Sequence, residues 1–249
     1  MPTPLVTLSA VNKVYERKGA APVQALKDVD LTIYQGEIVS LIGSSGCGKS
    51  TLLRIIAGLD DHYTGSIAWT TPPRPGKDIG FVFQEPVLLP WRTVRKNAQF
   101  GLEAQGKTAA EMDAAVNPLL ELVGLDGFAK SYPRELSGGM RQRLAIVRAL
   151  AYDPQILLMD EPFGALDHIT RERLHEDLLR IWEETHKTIV MVTHAVDEAA
   201  YLSDRVVVMT PRPGVVREIH DVPLPRPRNE ETKLMPQFAE FQSTLRQQL

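Results

Sequence analysis

The chain has 249 residues, of which 43% are apolar, and a formal net charge of −3. This length suits one large α/β domain or a core with a subdomain, and the apolar fraction can bury a sizeable core. The slightly acidic balance, with no stripe of Lys and Arg among aromatics, argues against nucleic acid as a partner. The apolar runs are far shorter than the roughly 20 residues that cross a bilayer. With Cys47 as the single cysteine, we expect a cytoplasmic location.

The N-terminal part alternates apolar and polar residues, as half-buried strands do. Tyr15 lies just before a turn-rich segment at 17–22, and taken alone it is best explained as an ordinary strand aromatic. Gln84 lies at the end of a predicted strand. The strands that this pattern predicts cover 5–11, 26–33, 65–70 and 79–83.

One stretch combines a short buried strand, a glycine-rich turn and a helix in immediate succession. Without Cβ atoms, its glycines let backbone N–H groups converge on a triphosphate, and the N-terminus of the following helix adds partial positive charge. Lys49 supplies a full cation for the β and γ phosphates, and Ser50 offers a hydroxyl to Mg²⁺. We therefore predict a triphosphate site. The residues with the spacing G-x-x-x-x-G-K-[ST], and the one after them, are Gly43, Ser44, Ser45, Gly46, Cys47, Gly48, Lys49, Ser50 and Thr51.

From residue 87 the periodicity becomes helical. The pattern predicts helices over 107–122, which Pro118 would kink or divide, and over 140–151. We interpret 87–152 as a helical subdomain inserted into an α/β core formed by 1–86 and 153–210. Residues 211–249 form a short tail whose apolar spacing predicts a helix with Phe238, Phe241, Leu245 and Leu249 on one face.

The second half of the core alternates strands and helices, which predicts a mainly parallel sheet covered on both sides. Asp160 and Glu161 follow the buried strand predicted over 156–159. Neighbouring side chains of a strand point to opposite faces, so the two carboxylates should have different tasks. With a nucleotide nearby, Asp160 would hold the Mg²⁺ shell, and Glu161 would orient or deprotonate the attacking water.

Two further features have both a chemical and a structural explanation. Ser137 can cap the helix predicted from Met140, while Gly138 and Gly139 leave backbone N–H groups open to an anion. The alternative is an N-cap with a flexible glycine pair. His194 ends a predicted strand and could reach a γ-phosphate, although a lone histidine is more often structural.

Taken together, these motifs resemble the nucleotide-binding subunits of ATP-binding cassette (ABC) transporters over nearly the whole chain. SSGCGKST resembles Walker A, Gln84 the Q-loop, LSGGMRQ the signature, ILLMDEP Walker B, ALD at 165–167 the D-loop, and His194 the switch histidine. The order and spacing of the series make the resemblance specific. It implies an α/β fold with a P-loop NTPase core, an N-terminal antiparallel β part and an inserted helical subdomain.

The resemblance also implies a dimer. In this family two subunits meet head to tail and trap two ATP molecules, each between Walker A of one chain and the signature of the other. Ser137, Gly138 and Gly139 would then bind the partner's ATP, and Asp167 would couple the two sites. The family most often has glutamine where this chain has Met140. We expect this difference to adjust the binding of the partner's ATP rather than to abolish it.

Catalytic roles come with the same resemblance. Glu161, His194, Gln84 and Lys49 would form the catalytic set, and Ser50, Gln84 and Asp160 would hold Mg²⁺. Tyr15 falls where the family has an aromatic residue that stacks on adenine. Cys47 lies inside the phosphate loop, where its small side chain fills space. We predict that alkylation of its thiol blocks ATP binding sterically.

Residues 83–102 and 158–174, and the tail segments PRPGVV and LPRPR, are similar to ATPase subunits of the nitrate, sulfonate, taurine and bicarbonate importers. Leu88, Leu89, Pro90 and Trp91 form an apolar patch after Gln84, where we expect a membrane permease to dock. The alternative is that Trp91 packs the helical subdomain onto the core. The expected function is import of a small anion by a homodimer at the cytoplasmic membrane face, served indirectly by an extracytoplasmic solute-binding protein.

Other functions fit the motifs less well. A soluble ABC protein of DNA repair or translation would need a long coiled-coil insertion or a second cassette, and the interval from Gln84 to Ser137 leaves room for neither. A small-molecule kinase would explain Walker A but not LSGGM or His194. A regulatory module that binds ATP without hydrolysis is disfavoured by Glu161 and His194. An ABC ATPase of another transport system stays open.

Overall fold

The computed structural model describes residues 2–17, 19–74 and 76–249. Its strands are β1 (Pro4–Arg17), β2 (Ala20–Tyr34), β3 (Ile38–Ile42), β4 (Thr64–Trp69), β5 (Ile79–Val82), β6 (Ile156–Asp160), β7 (Thr188–Val192), β8 (Arg205–Met209) and β9 (Val216–Asp221). Its α-helices are α1 (Lys49–Ile56), α2 (Val94–Ala98), α3 (Phe100–Ala104), α4 (Ala109–Leu122), α5 (Gly138–Leu150), α6 (His168–Thr185), α7 (Val196–Leu202), α8 (Glu230–Leu234) and α9 (Pro236–Gln248). Two compact units result, Met1–Pro72 with Thr188–Leu249 and Pro73–Lys187.

The first unit begins with a three-stranded antiparallel sheet in the order β2-β1-β4. β1 and β2 form a hairpin in which Leu8 lies opposite Leu31, and β4 pairs on the other side of β1, where Ile67 lies opposite Leu8. Val6 and Leu8 of β1 and Leu31 and Ile33 of β2 are buried and alternate with less buried neighbours, as predicted, whereas Val14 is 45% exposed. The predicted N-terminal antiparallel part is confirmed. Both strands extend into the segment predicted as a turn.

The same unit contains parallel strands β7, β3 and β8, with Ile38 opposite Ile189 and Ser40 opposite Val206. Every residue of β3 and β7 is buried, so these strands are continuous apolar runs rather than alternating ones. β9, which the sequence pattern did not predict, pairs antiparallel with β8. The predicted mainly parallel arrangement is confirmed.

The C-terminal tail belongs to this first unit. The helix predicted from its apolar spacing is α9, which packs against α7. Phe238, Phe241 and Leu245 are buried, whereas Leu249 is 47% exposed at the end of the chain. Burial of three of the four apolar positions holds the tail on the unit.

The second unit pairs β5 and β6 in parallel, with Ile79 opposite Ile156 and Val82 opposite Met159. Helix α5 is its centre, because α2, α3, α4 and α6 all pack against it. Pro118 lies inside α4 and does not divide it, which corrects the expectation of a break. The buried face of Met112, Val116 and Leu120 continues past the proline, and packing outweighs the hydrogen bond that proline cannot donate. Within the described ranges, no helix is long and apolar enough to cross a membrane.

Candidate active site

The phosphate loop of the first unit connects β3 to α1. Gly43, Gly46 and Gly48 have φ angles of 155°, 74° and 108°, a region of backbone conformation that glycine adopts without steric cost. Backbone atoms of other segments also lie close to two of these glycines. A Cβ at Gly43 would lie 2.8 Å from Met209 O, and one at Gly48 would lie 2.8 Å from Ala25 O. The glycines are therefore required by the surrounding backbone as well as by the predicted phosphate chemistry.

Lys49 lies within this loop and is only 5% exposed. Its Nζ donates to Gly43 O at 2.7 Å and to Ser44 O at 3.0 Å, so the loop's own carbonyls hold the ammonium. The Cys47 thiol is also buried, 3.7 Å from Lys49 Nζ. Alkylation of Cys47 would therefore require the loop to open, and its effect on ATP binding stays a prediction.

Tyr15 lies beside the end of the same loop. Its phenol oxygen is 3.3 Å from Thr51 Oγ1 and 3.4 Å from Asp60 Oδ2. The Lys13 ammonium lies 4.7 Å from the centroid of the Tyr15 ring and 2.5 Å from Asp60 Oδ1. The structure thus places an exposed aromatic ring, predicted to stack on adenine, next to the loop predicted to bind phosphates.

Lys13 and Asp60 are residues that the sequence reasoning missed. Lys13 is 4% exposed, and a buried ammonium needs a charged partner, which Asp60 supplies. Burial by itself would raise the pKa of Asp60, but the hydrogen bonds from Lys13 and the His62 backbone keep it below its ordinary value. The spacing Lys-x-Tyr places the ammonium and the ring on the same side of β1, which is a sequence signal for Lys13 but not for its contact with Asp60.

His194 is the remaining predicted residue of the first unit. It lies two residues after the end of β7 and is exposed. The turn around it is tightly held, because Thr193 Oγ1 donates to Glu198 Oε2 at 2.5 Å and accepts from Ala195 N at 3.0 Å. The predicted position of His194 at a strand end is confirmed.

In the second unit, the structure brings together Gln84, after β5, and Glu161, after β6. Gln84 Nε2 donates to Glu161 Oε2 at 3.4 Å. Glu161 has a φ of 45°, a left-handed conformation that costs a residue other than glycine on the order of 1 to 3 kcal/mol. Asp160 is 8% exposed at the end of β6, while Glu161 is half-buried. The two acids thus have different environments, as predicted, but the cause is the left-handed turn at Glu161 rather than strand alternation, because β6 ends at Asp160.

The signature segment starts α5. Ser137 Oγ accepts from Met140 N at 3.3 Å, which confirms the predicted helix cap, although the helix begins at Gly138. A Cβ at Gly139 would lie 2.4 Å from the Thr170 methyl, so Gly139 also lets α6 approach α5. Binding of an anion by Ser137, Gly138 and Gly139 stays a prediction.

Asp167 caps α6 in the same unit. Its Oδ1 accepts from Thr170 N at 3.0 Å. This backbone bond, with further bonds at the start of the helix, lowers the pKa of Asp167 below its ordinary value. The carboxylate is exposed and ionised at neutral pH, which is compatible with a contact to a partner chain.

In the second unit, Pro90 and Trp91 of the apolar patch are exposed, whereas Leu88 and Leu89 are half-buried. Trp91 is 72% exposed, so it does not pack as a core residue. The backbone beneath the patch is held by the buried Asn97, whose Oδ1 accepts from Leu89 N at 2.8 Å and whose Nδ2 donates to Leu89 O at 3.1 Å. Arg148 donates a further hydrogen bond to the Val87 carbonyl. A rigid loop therefore presents the indole to solvent.

Comparison with known proteins identifies the family. The model of the ABC transporter family matches residues 26–164. The aliphatic sulfonates import ATP-binding protein of Bacillus cereus is 45% identical over 98% of this chain and 95% of its own length. The nitrate import ATP-binding protein of Synechocystis is 46% identical over 94% of this chain and 91% of its own length.

A solved structure agrees with these relatives. The dimeric structure of a post-hydrolysis state of an ATP-binding cassette, bound to ADP and phosphate, has a TM-score of 0.75 and 35% identity. It covers 88% of this chain, and this chain covers 99% of it. The fold and the ATPase activity predicted from the motifs are confirmed. This chain belongs to the ABC transporter family and is an ATPase of the cassette type.

Proposed function

We propose that this chain dimerises on ATP and powers the import of a small anion, such as a sulfonate, taurine or nitrate, through a separate membrane permease. The observation that carries the proposal is the similarity, over nearly its whole length, to ATP-binding proteins of sulfonate and nitrate import. The exposed Trp91 patch next to Gln84 supports the permease contact.

The nucleotide would be held in the first unit. Backbone N–H groups of 43–51 and the Lys49 ammonium bind the phosphates, since several charge-assisted hydrogen bonds of about 1.5 to 3 kcal/mol each favour an anion there. The Tyr15 ring receives the adenine on its exposed face. The short distance from Tyr15 to Thr51 supports this division, because base and phosphates belong to one ligand.

Hydrolysis would be carried by Glu161 as general base. Its carboxylate accepts a proton from water while the water oxygen forms a bond to the γ-phosphorus and the bond to the β-phosphate oxygen breaks. The hydrogen bond from Gln84 orients that carboxylate. His194 donates to the γ-phosphate, and Lys49 stabilises its charge.

Mg²⁺ fits the oxygen donors of the proposed metal set. The Ser50 hydroxyl, the Gln84 amide oxygen and the Asp160 carboxylate are hard ligands of the kind Mg²⁺ prefers. When bound, the ion would neutralise charge on the β and γ phosphates. Asp160, buried at a strand end, is suited to a fixed ligand role.

The assembly would be a homodimer on the cytoplasmic face of the membrane, held there by the permease. Ser137, Gly138 and Gly139 of one chain bind the ATP of its partner, and Asp167 couples the two sites. An extracytoplasmic binding protein delivers the solute to the permease and does not touch this chain.

Growth of cells that lack this chain tests the proposal. Such cells are supplied with taurine, an alkanesulfonate or nitrate as the single source of sulfur or nitrogen, and complemented with wild type or Lys49→Ala. Growth restored on one compound by wild type alone supports the importer and identifies its substrate class. If wild type restores growth on none of them while the purified chain hydrolyses ATP, the sulfonate and nitrate assignment is wrong.

A further inference from the structure

The loop from Thr210 to Val215 connects β8 to β9 and lies outside the residues matched by the family model. Its shape is held by its own hydrogen bonds. Thr210 N donates to Val215 O at 3.0 Å, Val215 N donates to Thr210 Oγ1 at 3.1 Å, and that hydroxyl donates to Pro213 O at 3.2 Å. The loop is therefore a closed, preformed element of the first unit.

Arg212 of this loop reaches the phosphate loop. Its Nε and Nη2 donate to the carbonyl of Gly46, at 3.1 Å and 3.0 Å. Both guanidinium donors converge on one backbone oxygen, a contact that a single ammonium cannot reproduce. The side chain is exposed, yet it connects residues 166 positions apart.

Gly214 lies against the carbonyl of Cys47, the next residue of the phosphate loop. A Cβ at Gly214 would lie 2.0 Å from Cys47 O. The glycine cannot move away, because its N–H donates to Ala25 O at 2.9 Å and its carbonyl accepts from Lys27 N at 3.0 Å. The glycine therefore fixes how closely the two loops approach.

The orientation of the Gly46 and Cys47 carbonyls determines where the backbone N–H groups of the following residues point. In a trans peptide the C=O and N–H groups point in opposite directions. With Gly46 O directed to Arg212, the N–H of Cys47 is turned into the phosphate loop, where it donates to Ser44 O at 3.3 Å. With Cys47 O directed to Gly214, the N–H of Gly48 is turned to the opposite side.

We propose that Arg212 and Gly214 are positioning residues for ATP binding. They hold the carbonyls of Gly46 and Cys47 outward, so that the N–H of Cys47 faces the inside of the phosphate loop, where the triphosphate would replace Ser44 O as its acceptor. Preorganised donors bind more tightly because the loop loses less conformational freedom on binding. The inference rests on the proposed role of 43–51 in binding ATP.

The test compares purified full-length variants for binding of a non-hydrolysable ATP analogue by calorimetry, and for kcat and KM. Arg212→Ala should weaken binding and raise KM about three- to tenfold, as expected for a lost hydrogen bond to a positioned group, with kcat within about twofold. Arg212→Lys should recover only part of the affinity. Arg54→Ala, which removes an exposed arginine of α1, should bind as wild type.

Three results would overturn the inference: unchanged binding by Arg212→Ala, an equal loss in Arg54→Ala, or full recovery in Arg212→Lys, which would indicate charge alone. The Lys49→Ala variant distinguishes failure of this inference from failure of the proposed function. If Lys49→Ala also binds normally, the phosphate loop is not the ATP site. Gly214→Ala should bind more weakly than Arg212→Ala. If Gly214→Ala does not fold, the Arg212 variants decide.

Discussion

The phenol oxygen of Tyr15 lies 3.3 Å from the hydroxyl of Thr51, at the end of the phosphate loop. Tyr15 belongs to the antiparallel sheet and Thr51 to the helix that follows the parallel strand β3. The contact therefore joins the two parts of the first unit at the point where a nucleotide base and its phosphates would meet.

Tyr15→Ala should weaken ATP binding several-fold, because the exposed ring face is lost to the adenine, a contact of about 1 kcal/mol. Tyr15→Phe keeps the ring and loses only the hydroxyl, and it should bind nearly as wild type. Calorimetry with a non-hydrolysable ATP analogue measures both. Equal loss in the two variants would assign the effect to the hydroxyl and contradict stacking.

Lys49→Ala should reduce affinity for ATP at least tenfold, since it removes an ammonium whose charge-assisted hydrogen bonds contribute about 1.5 to 3 kcal/mol each. The matched control is Lys130→Ala, which removes an exposed lysine from the second unit. Calorimetric binding constants of both variants give the comparison. Wild-type affinity in Lys49→Ala would rule out the phosphate loop as the ATP site.

Glu161→Gln should keep ATP binding within a few-fold and lower the hydrolysis rate by two to three powers of ten, or about 3 to 4 kcal/mol of barrier. The glutamine preserves size but cannot accept the proton of water. Phosphate release by the purified chain measures the rate, with Glu183→Gln on the exposed surface of α6 as control. A variant that retains most of the wild-type rate would show that another group is the base.

Trp91→Ala should leave ATP binding unchanged and weaken the complex with the permease, because an indole that is 72% exposed contributes little to its own unit. Co-purification of this chain with its membrane subunits is the measurement. Phe128→Ala, at an aromatic residue 43% exposed in the same unit, is the control. Normal recovery of the Trp91→Ala complex would refute docking at this patch.

Leu245→Ala should lower the free energy of unfolding by about 2 to 4 kcal/mol, because the side chain is fully buried and leaves a cavity. Leu249→Ala, at the exposed end of the tail, should change it by less than about 0.5 kcal/mol. Urea denaturation of the two variants measures the difference. Similar stabilities would mean that α9 does not pack as described.

The local features of this protein follow from its sequence because they depend on neighbouring residues. Ser137 caps α5 through Met140, three positions away, and the apolar runs of β3 and β7 are strands buried on both faces. The phosphate loop has glycines where positive φ angles are required. The apolar run before Asp160 and Glu161 also predicted that these two acids lie at the end of a buried strand, which is β6.

Local pattern alone misjudged two segments. Pro118 lacks an N–H but remains inside α4, because the buried face of that helix packs against α5. β9 has mostly exposed side chains of mixed polarity and was not predicted, because its strand conformation depends on pairing with the edge of β8.

The sequence by itself determined the family, the order of the chemical motifs and the elements that carry them, since each depends on residues that are close together in the chain. Only the tertiary structure decided which distant residues support those motifs. Lys13 meets Asp60 across 47 positions, and Arg212 meets Gly46 across 166. No periodicity encodes such contacts, because they arise where separately formed elements pack against one another.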